Sequence, residues 1–169
     1  MKDEEWDVGT VLDHGLPPFP GELSPGDEVP VALWRRGRIG AVLSIIYDPD
    51  DDHGEPYSQE IELRFRESDG SWKWLSTAGS DWPYGIGERP SGNPLVCFAA
   101  GASSPVDGEH FLIASGSAPE GVHKLRLASG RDDGVSDVEP VTGAFLLRVV
   151  EADVGSYAAV VDAASAPDQ

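Results

Sequence analysis

Residues 143–161, GAFLLRVVEADVGSYAAVV, join an alternating apolar run, an acidic corner holding Asp153, Gly155 and Tyr157, and a second apolar run. Apolar residues at a period of two put their side chains on one face of an extended chain, and a Gly-containing polar break turns it. The spacing therefore predicts a strand, a corner and a strand. This decides a fold class and carries no chemistry.

Working upstream, residues 122–128, 110–115 and 95–99 read as further short strands. In VHKLRLA, His123, Leu125 and Leu127 share one face. The intervening RDDGVSDVEPV reads as turn, with a short edge strand at 138–141 limited by Pro140. Residues 76–94, rich in Gly and Pro, read as a long loop carrying Trp82 and Tyr84.

Before that loop lies the plainest hairpin. Ile61, Leu63 and Phe65 alternate with Glu62, Arg64 and Arg66, Asp69 and Gly70 turn the chain, and Trp72 and Trp74 follow. A two-residue Asp-Gly loop pairs Phe65 with Trp74 and Glu67 with Trp72. That register places both indoles on the face of Ile61, Leu63 and Phe65, in the core. Residues 29–34 and 39–47 give two more strands around a turn at Gly37, and Trp34 is assigned to the core. Residues 1–28, interrupted by prolines at 17, 18, 20 and 25, read as an extended arm in which Trp6, Val8, Val11 and Leu12 allow one amphipathic turn.

The expected fold is all-β: a two-layer antiparallel β-sandwich of about nine strands spanning 29–162, with a frayed tail at 163–169. A division into two lobes near 77–94 is the alternative organisation. The run Leu146, Val149, Asp153, Gly155, Tyr157 and Ala159 resembles the strand-to-corner signature of immunoglobulin-like domains. The resemblance implies that the Tyr157 hydroxyl bonds back to the chain at that corner. Leu95, Cys97, Ala99 and Gly101 resemble the strand that supplies the first core cysteine of that family, but Ala159 stands where the second cysteine would be, and no Trp follows Cys97 at the family's interval. The resemblance covers residues 95–161, and another sandwich or a barrel remains the alternative.

The 169 residues suffice for one core, and 40% apolar with 25% charged composition is that of a globular chain. Thirty acids against 12 Lys and Arg give a net charge of −18. Residues 1–85 hold 18 acids and 7 bases, net −11, and residues 86–169 hold 12 and 5, net −7, so the acidity is spread. Such a surface repels nucleic acid and anionic membrane. Cys97 stands alone, excluding an intrachain disulfide, and the acidic N-terminal sequence lacks the pattern of a signal peptide, which points to the cytoplasm.

Candidate chemistry is sparse. Asp48, Asp50, Asp51, Asp52 and Glu55 could offer oxygens to Ca²⁺, with Asp48, Asp50 and Asp52 spaced as at the start of an EF-hand loop. His53 then stands where that loop needs glycine, so a solvated loop is the simpler expectation and no cofactor is expected. Cys97 with His110 or His123 would be the obvious nucleophilic set, yet an apolar strand buries the thiol and keeps it protonated. Trp82 and Tyr84, large rings in a loop, are candidates for contacting a ligand. The sequence thus predicts a non-enzymatic module that binds another protein through loops and an acidic surface, a basic partner being the kind that its charge suits. An inhibitor or immunity-type protein presenting acids to a basic target is one alternative, and a small enzyme using the 48–55 loop with His53 is the other.

Overall fold

A computed structural model describes residues 6–50, 54–92, 94–127, 136–149 and 161–164. Its elements are one helix, α1 (Val8–His14), and ten strands: β1 (Glu28–Arg36), β2 (Ile39–Tyr47), β3 (Tyr57–Arg66), β4 (Trp72–Asp81), β5 (Leu95–Ser103), β6 (His110–Ser117), β7 (Lys124–Leu127), β8 (Ser136–Asp137), β9 (Ala144–Val149) and β10 (Val161–Ala164). The fold is all-β and sandwich-like. Strands β1-β2-β3-β4 form an antiparallel sheet in chain order, β5-β6-β9 a second sheet, and β10-β7-β8 a small third.

The first two sheets pack face to face, β1 lying against β9 and β4 against β5. Between them Leu43, Ile45, Ile61 and Leu63 of the first sheet meet Phe111, Ile113 and Leu146 of the second. The other face of the second sheet is buried too: Phe145, Leu147 and Val149 of β9 meet Leu125 and Val138. Strand β9 is thus covered on both sides, and Ala144–Leu147 is fully buried. A strand covered on both faces reads as a continuous apolar run, which accounts for AFLL at its start.

The first sheet also carries the N-terminal segment on its outer face. The expected extended arm contains a helix, because Asp7 caps it: Asp7 Oδ1 accepts from Thr10 N (2.9 Å) and Oδ2 from Thr10 Oγ1 (3.0 Å). Val8, Val11 and Leu12, at helical spacing, pack on Val42, with Trp6, Leu33 and Trp72 around them. Gly40 makes this approach possible, since a Cβ there would stand 2.5 Å from Leu12 Cδ2.

The β3–β4 register differs from the expected one. Arg64 pairs with Trp74, Phe65 with Lys73 and Arg66 with Trp72. The loop has three residues, not two: Glu67 N donates to Ser71 O (2.8 Å), Gly70 N to Glu67 O (2.9 Å), and Gly70 takes the positive φ of 92°. The Asp69 carboxylate accepts from Ser71 N (2.9 Å), fixing that loop. One extra loop residue moves both tryptophans from the core face to the outer face. Trp72 lies half-buried between the Arg35 and Arg66 guanidinium groups (5.5 and 5.2 Å), its indole N–H donating to Asp13 Oδ1 (3.0 Å). Trp74 is 57% exposed.

Elsewhere the limits shift modestly. Strand β4 runs on to Asp81, and the edge strand expected at 138–141 sits at β8. The corner residues Asp153, Gly155, Tyr157 and Ala159 lie outside the described residues, as do 165–169 of the tail.

Candidate functional site

Three groups of residues singled out by the sequence take definite positions. In the acidic loop, Asp48, Asp50 and Glu55 are exposed, and the Asp48 side chain accepts from the Asp50 backbone N–H at 3.2 Å, which is turn chemistry. Asp51, Asp52 and His53 lie outside the described residues. Among the described residues no three His, Cys, Asp or Glu side chains gather as metal ligands.

Trp82 is not a surface ring. It is 2% exposed, packs edge-on against Tyr84 at 5.9 Å between centroids, and belongs to the core between the sheets. Its backbone N–H bonds to Tyr57 O (3.0 Å), which carries β4's end inward and draws the indole with it. Tyr84 is half-buried, and burial, followed by the nearby Cys97 thiol, pushes its hydroxyl pKa up. These rings close the space between the sheets, which corrects the expectation of a free binding surface.

Cys97 sits beside them in a buried polar link. Gln59 of β3 donates through Nε2 to Asp81 O (2.9 Å) and to Cys97 Sγ (3.4 Å), and its Oε1 accepts from Ser115 Oγ of β6 (2.5 Å). Desolvation raises the Cys97 thiol pKa, against smaller opposing effects of Gln59 and Ser115. A thiol held protonated in this way is a poor nucleophile. His110 turns elsewhere, its Nδ1 3.3 Å from Ser103 Oγ.

The arrangement with recognisable surface chemistry lies on the outer face of the first sheet, beyond the part that α1 covers. Residues paired across strands share a face, so Ser44, Glu60 and Gly79 form one row and Val42, Glu62 and Thr77 the next. Glu28 reaches into the first row, its Oε2 accepting from Ser44 Oγ (3.0 Å). Glu60 is thereby partly desolvated and flanked by the charges of Glu28 and Glu62, and its pKa is raised, by desolvation first and then by those two carboxylates. The Arg64 guanidinium pairs with Glu62, on the far side of that group from Glu28.

Trp74 borders these acids. It stands opposite Arg64, and its indole N–H donates to Thr77 Oγ1 (2.6 Å), which orients the ring on the same face. Trp6 marks the other border, its Nε1 donating to Glu28 O (2.8 Å). An exposed indole on the same sheet face as a cluster of carboxylates offers a cation both a π-face and a countercharge. The sequence shows these residues only as strand alternation, and the hairpin register assigned Trp74 to the core. The signal that could have found it is Gly70, which suits a three-residue loop with a left-handed glycine as well as a two-residue one.

No helix among the described residues is long and apolar enough to cross a membrane. Comparisons with protein-family models, with curated proteins and with solved structures returned no match.

Proposed function

We propose that this chain is a non-enzymatic protein-binding module whose outer sheet face, bearing Glu28, Glu60, Glu62 and Trp74, docks a basic segment of another protein. The observation that supports this reading most directly is the raised pKa of Glu60 on the face that also carries, two cross-strand rows away opposite Arg64, an indole that is 57% exposed. Crowded carboxylates disfavour their own ionised state, and an incoming Lys or Arg relieves that repulsion while its stem covers apolar surface. The general charge of −18 adds long-range attraction, which raises association rates more than it selects a partner. Selectivity is therefore assigned to the ring and the fixed carboxylates.

The test separates local recognition from bulk attraction. A short peptide with two or three Lys and Arg residues is titrated by calorimetry against the native chain and against Trp74→Ala, which has the same net charge. Truncation of the ring should weaken binding about tenfold, the size of a partly desolvated cation–π contact. Equal affinities for the two proteins, with both lost at moderate salt, would reduce the interaction to non-specific charge and remove the reading.

A further inference from the structure

Strand β4 is the last strand of the first sheet, paired with β3 on one side and, among the described residues, with no strand on the other. Strand β5 packs against β4 without pairing with it. The ladder decides which backbone groups face outward. Trp82 N donates to Tyr57 O (3.0 Å), and in an antiparallel ladder hydrogen-bonded pairs recur at every second residue. The pairs Ser80–Gln59 and Ala78–Ile61 therefore exchange hydrogen bonds. Thr77 and Gly79, paired with Glu62 and Glu60, direct their N–H and C=O groups away from the sheet. Among the described residues no backbone group takes these up.

Edges of this length are usually closed to further pairing by Lys, Pro, a bulge or an inward-pointing charge. The exposed Lys73 and the register shift beside Trp74 guard one end of β4. Residues 75–80, LSTAGS, carry no charge and no proline, and Thr77, Gly79 and Ser80 are exposed. The unguarded part of the edge is also the part that borders the acids, since Thr77 and Gly79 lie on the outer face with Glu62 and Glu60. An added strand would run about 4.8 Å from β4 and about 10 Å from β3. Its residue opposite Gly79 would meet no side chain on β4, so a Lys or Arg there can lay its stem over Gly79 and reach Glu60 from the side. The residue two further along, opposite Thr77, comes beside the Trp74 ring, whose indole N–H donates to Thr77 Oγ1 (2.6 Å).

We infer that the basic segment is bound as a fifth strand along the free edge of β4, with Lys or Arg at alternating positions, one over Gly79 onto Glu60 and the next against Trp74. The inference rests on the reading that this face takes a basic segment, and it adds the conformation of that segment, its register and the spacing of its charges. A helical segment would carry its basic residues three or four apart and would leave the outward groups of Thr77 and Gly79 unbonded. A second copy of this chain would set two acidic faces edge to edge between chains of net charge −18, so charge complementarity favours the basic partner.

Two capped peptides of one composition test this. Each carries two lysines among Thr and Val, separated by one residue in the first and adjacent in the second, which puts them on opposite faces of a strand. Both are titrated by calorimetry against the full chain, and amide hydrogen exchange is read at Thr77 and Gly79. The first peptide should bind about tenfold more tightly, the worth of one charge-assisted contact, and should slow exchange at both amides. N-methylation of its alternate amides leaves the charge unchanged: methylating the set that faces β4 should abolish most of the binding, and methylating the other set should spare it. Equal affinity of the two peptides, equal effects of the two methylations, or binding that leaves exchange at Thr77 and Gly79 unchanged overturns the added strand while the basic-segment reading stands. Failure of both peptides to bind overturns both. Exchange at these amides that slows as the concentration of the free chain rises would give the edge to a second copy and overturn the inference too.

Discussion

Glu60 holds its carboxyl in a place that favours the proton. Partial burial in the row between Ser44 and Gly79 disfavours its charge first, and the Glu28 and Glu62 carboxylates add to that. The folded chain thus retains this proton to a higher pH than the unfolded chain does. Stability from this group is fully present below the unfolded pKa and is lost as pH rises through the raised folded value. At neutral pH the ionised Glu60 is therefore a small cost. Glu60→Gln should raise the melting temperature at about pH 7 and leave it almost unchanged at about pH 4, where the native residue is largely protonated as well. A gain of the same size at both pH values would assign the effect to packing, and a loss at pH 7 would contradict the repulsion. The same substitution should weaken binding of the basic peptide, because the charge that burdens the free fold is the charge that a cation meets. Such opposition between stability and binding is the usual mark of a functional surface.

At the scale of elements, the joint between α1 and the first sheet sits at Gly40, where no side chain separates the strand from Leu12. Gly40→Ala inserts a methyl group 2.5 Å from Leu12 Cδ2 and should destabilise the chain by about 1–3 kcal/mol in chemical denaturation. Leu12→Ala alone should cost about 2–5 kcal/mol. In the double variant the methyl added at position 40 meets no leucine, so the two losses should fall short of their sum; strict additivity would show that helix and strand are not in contact there. This joint was only half legible in the sequence. Trp6, Val8, Val11 and Leu12 announced an amphipathic turn, but that Asp7 caps it and that the outer face of a sheet receives it depends on contacts with Val42, remote in sequence. The hairpin was legible as an element and misread in register, because Gly70 serves two loop lengths and a slip of one residue exchanges the faces. Strand β9 shows the same limit from the other side. Its alternation suggested one buried face, whereas the third sheet buries the second one as well.

At the scale of the molecule, the all-β character was legible because it is the sum of many local alternations, each of which survives an error in its neighbours. The acidic face was not legible as a site. It joins Glu28 of β1 to Glu60 and Glu62 of β3 and Trp74 of β4, so it exists only after the strands pair. What the sequence did show directly is the excess of 30 acids over 12 Lys and Arg, and its energetic sign can be argued. The favourable pairs include Arg66–Asp13 (3.2 Å), Lys124–Asp137 (2.6 Å) and Arg148–Glu109 (2.9 Å), and exposed pairs contribute about 0–1 kcal/mol each. Repulsion among the remaining carboxylates is weaker per pair but acts between many more pairs, so repulsion outweighs attraction over the surface as a whole. Raising NaCl from about 10 mM to about 200 mM shortens the screening length from about 30 Å to less than 10 Å, which removes the long-range repulsion and spares the contacts at hydrogen-bond distance. The melting temperature should therefore rise by several degrees over that range, and most of the gain should come below about 100 mM, where the screening length changes fastest. A melting temperature that falls with salt would mean that the ion pairs dominate, and the acidic face would then be too well compensated to attract a basic partner.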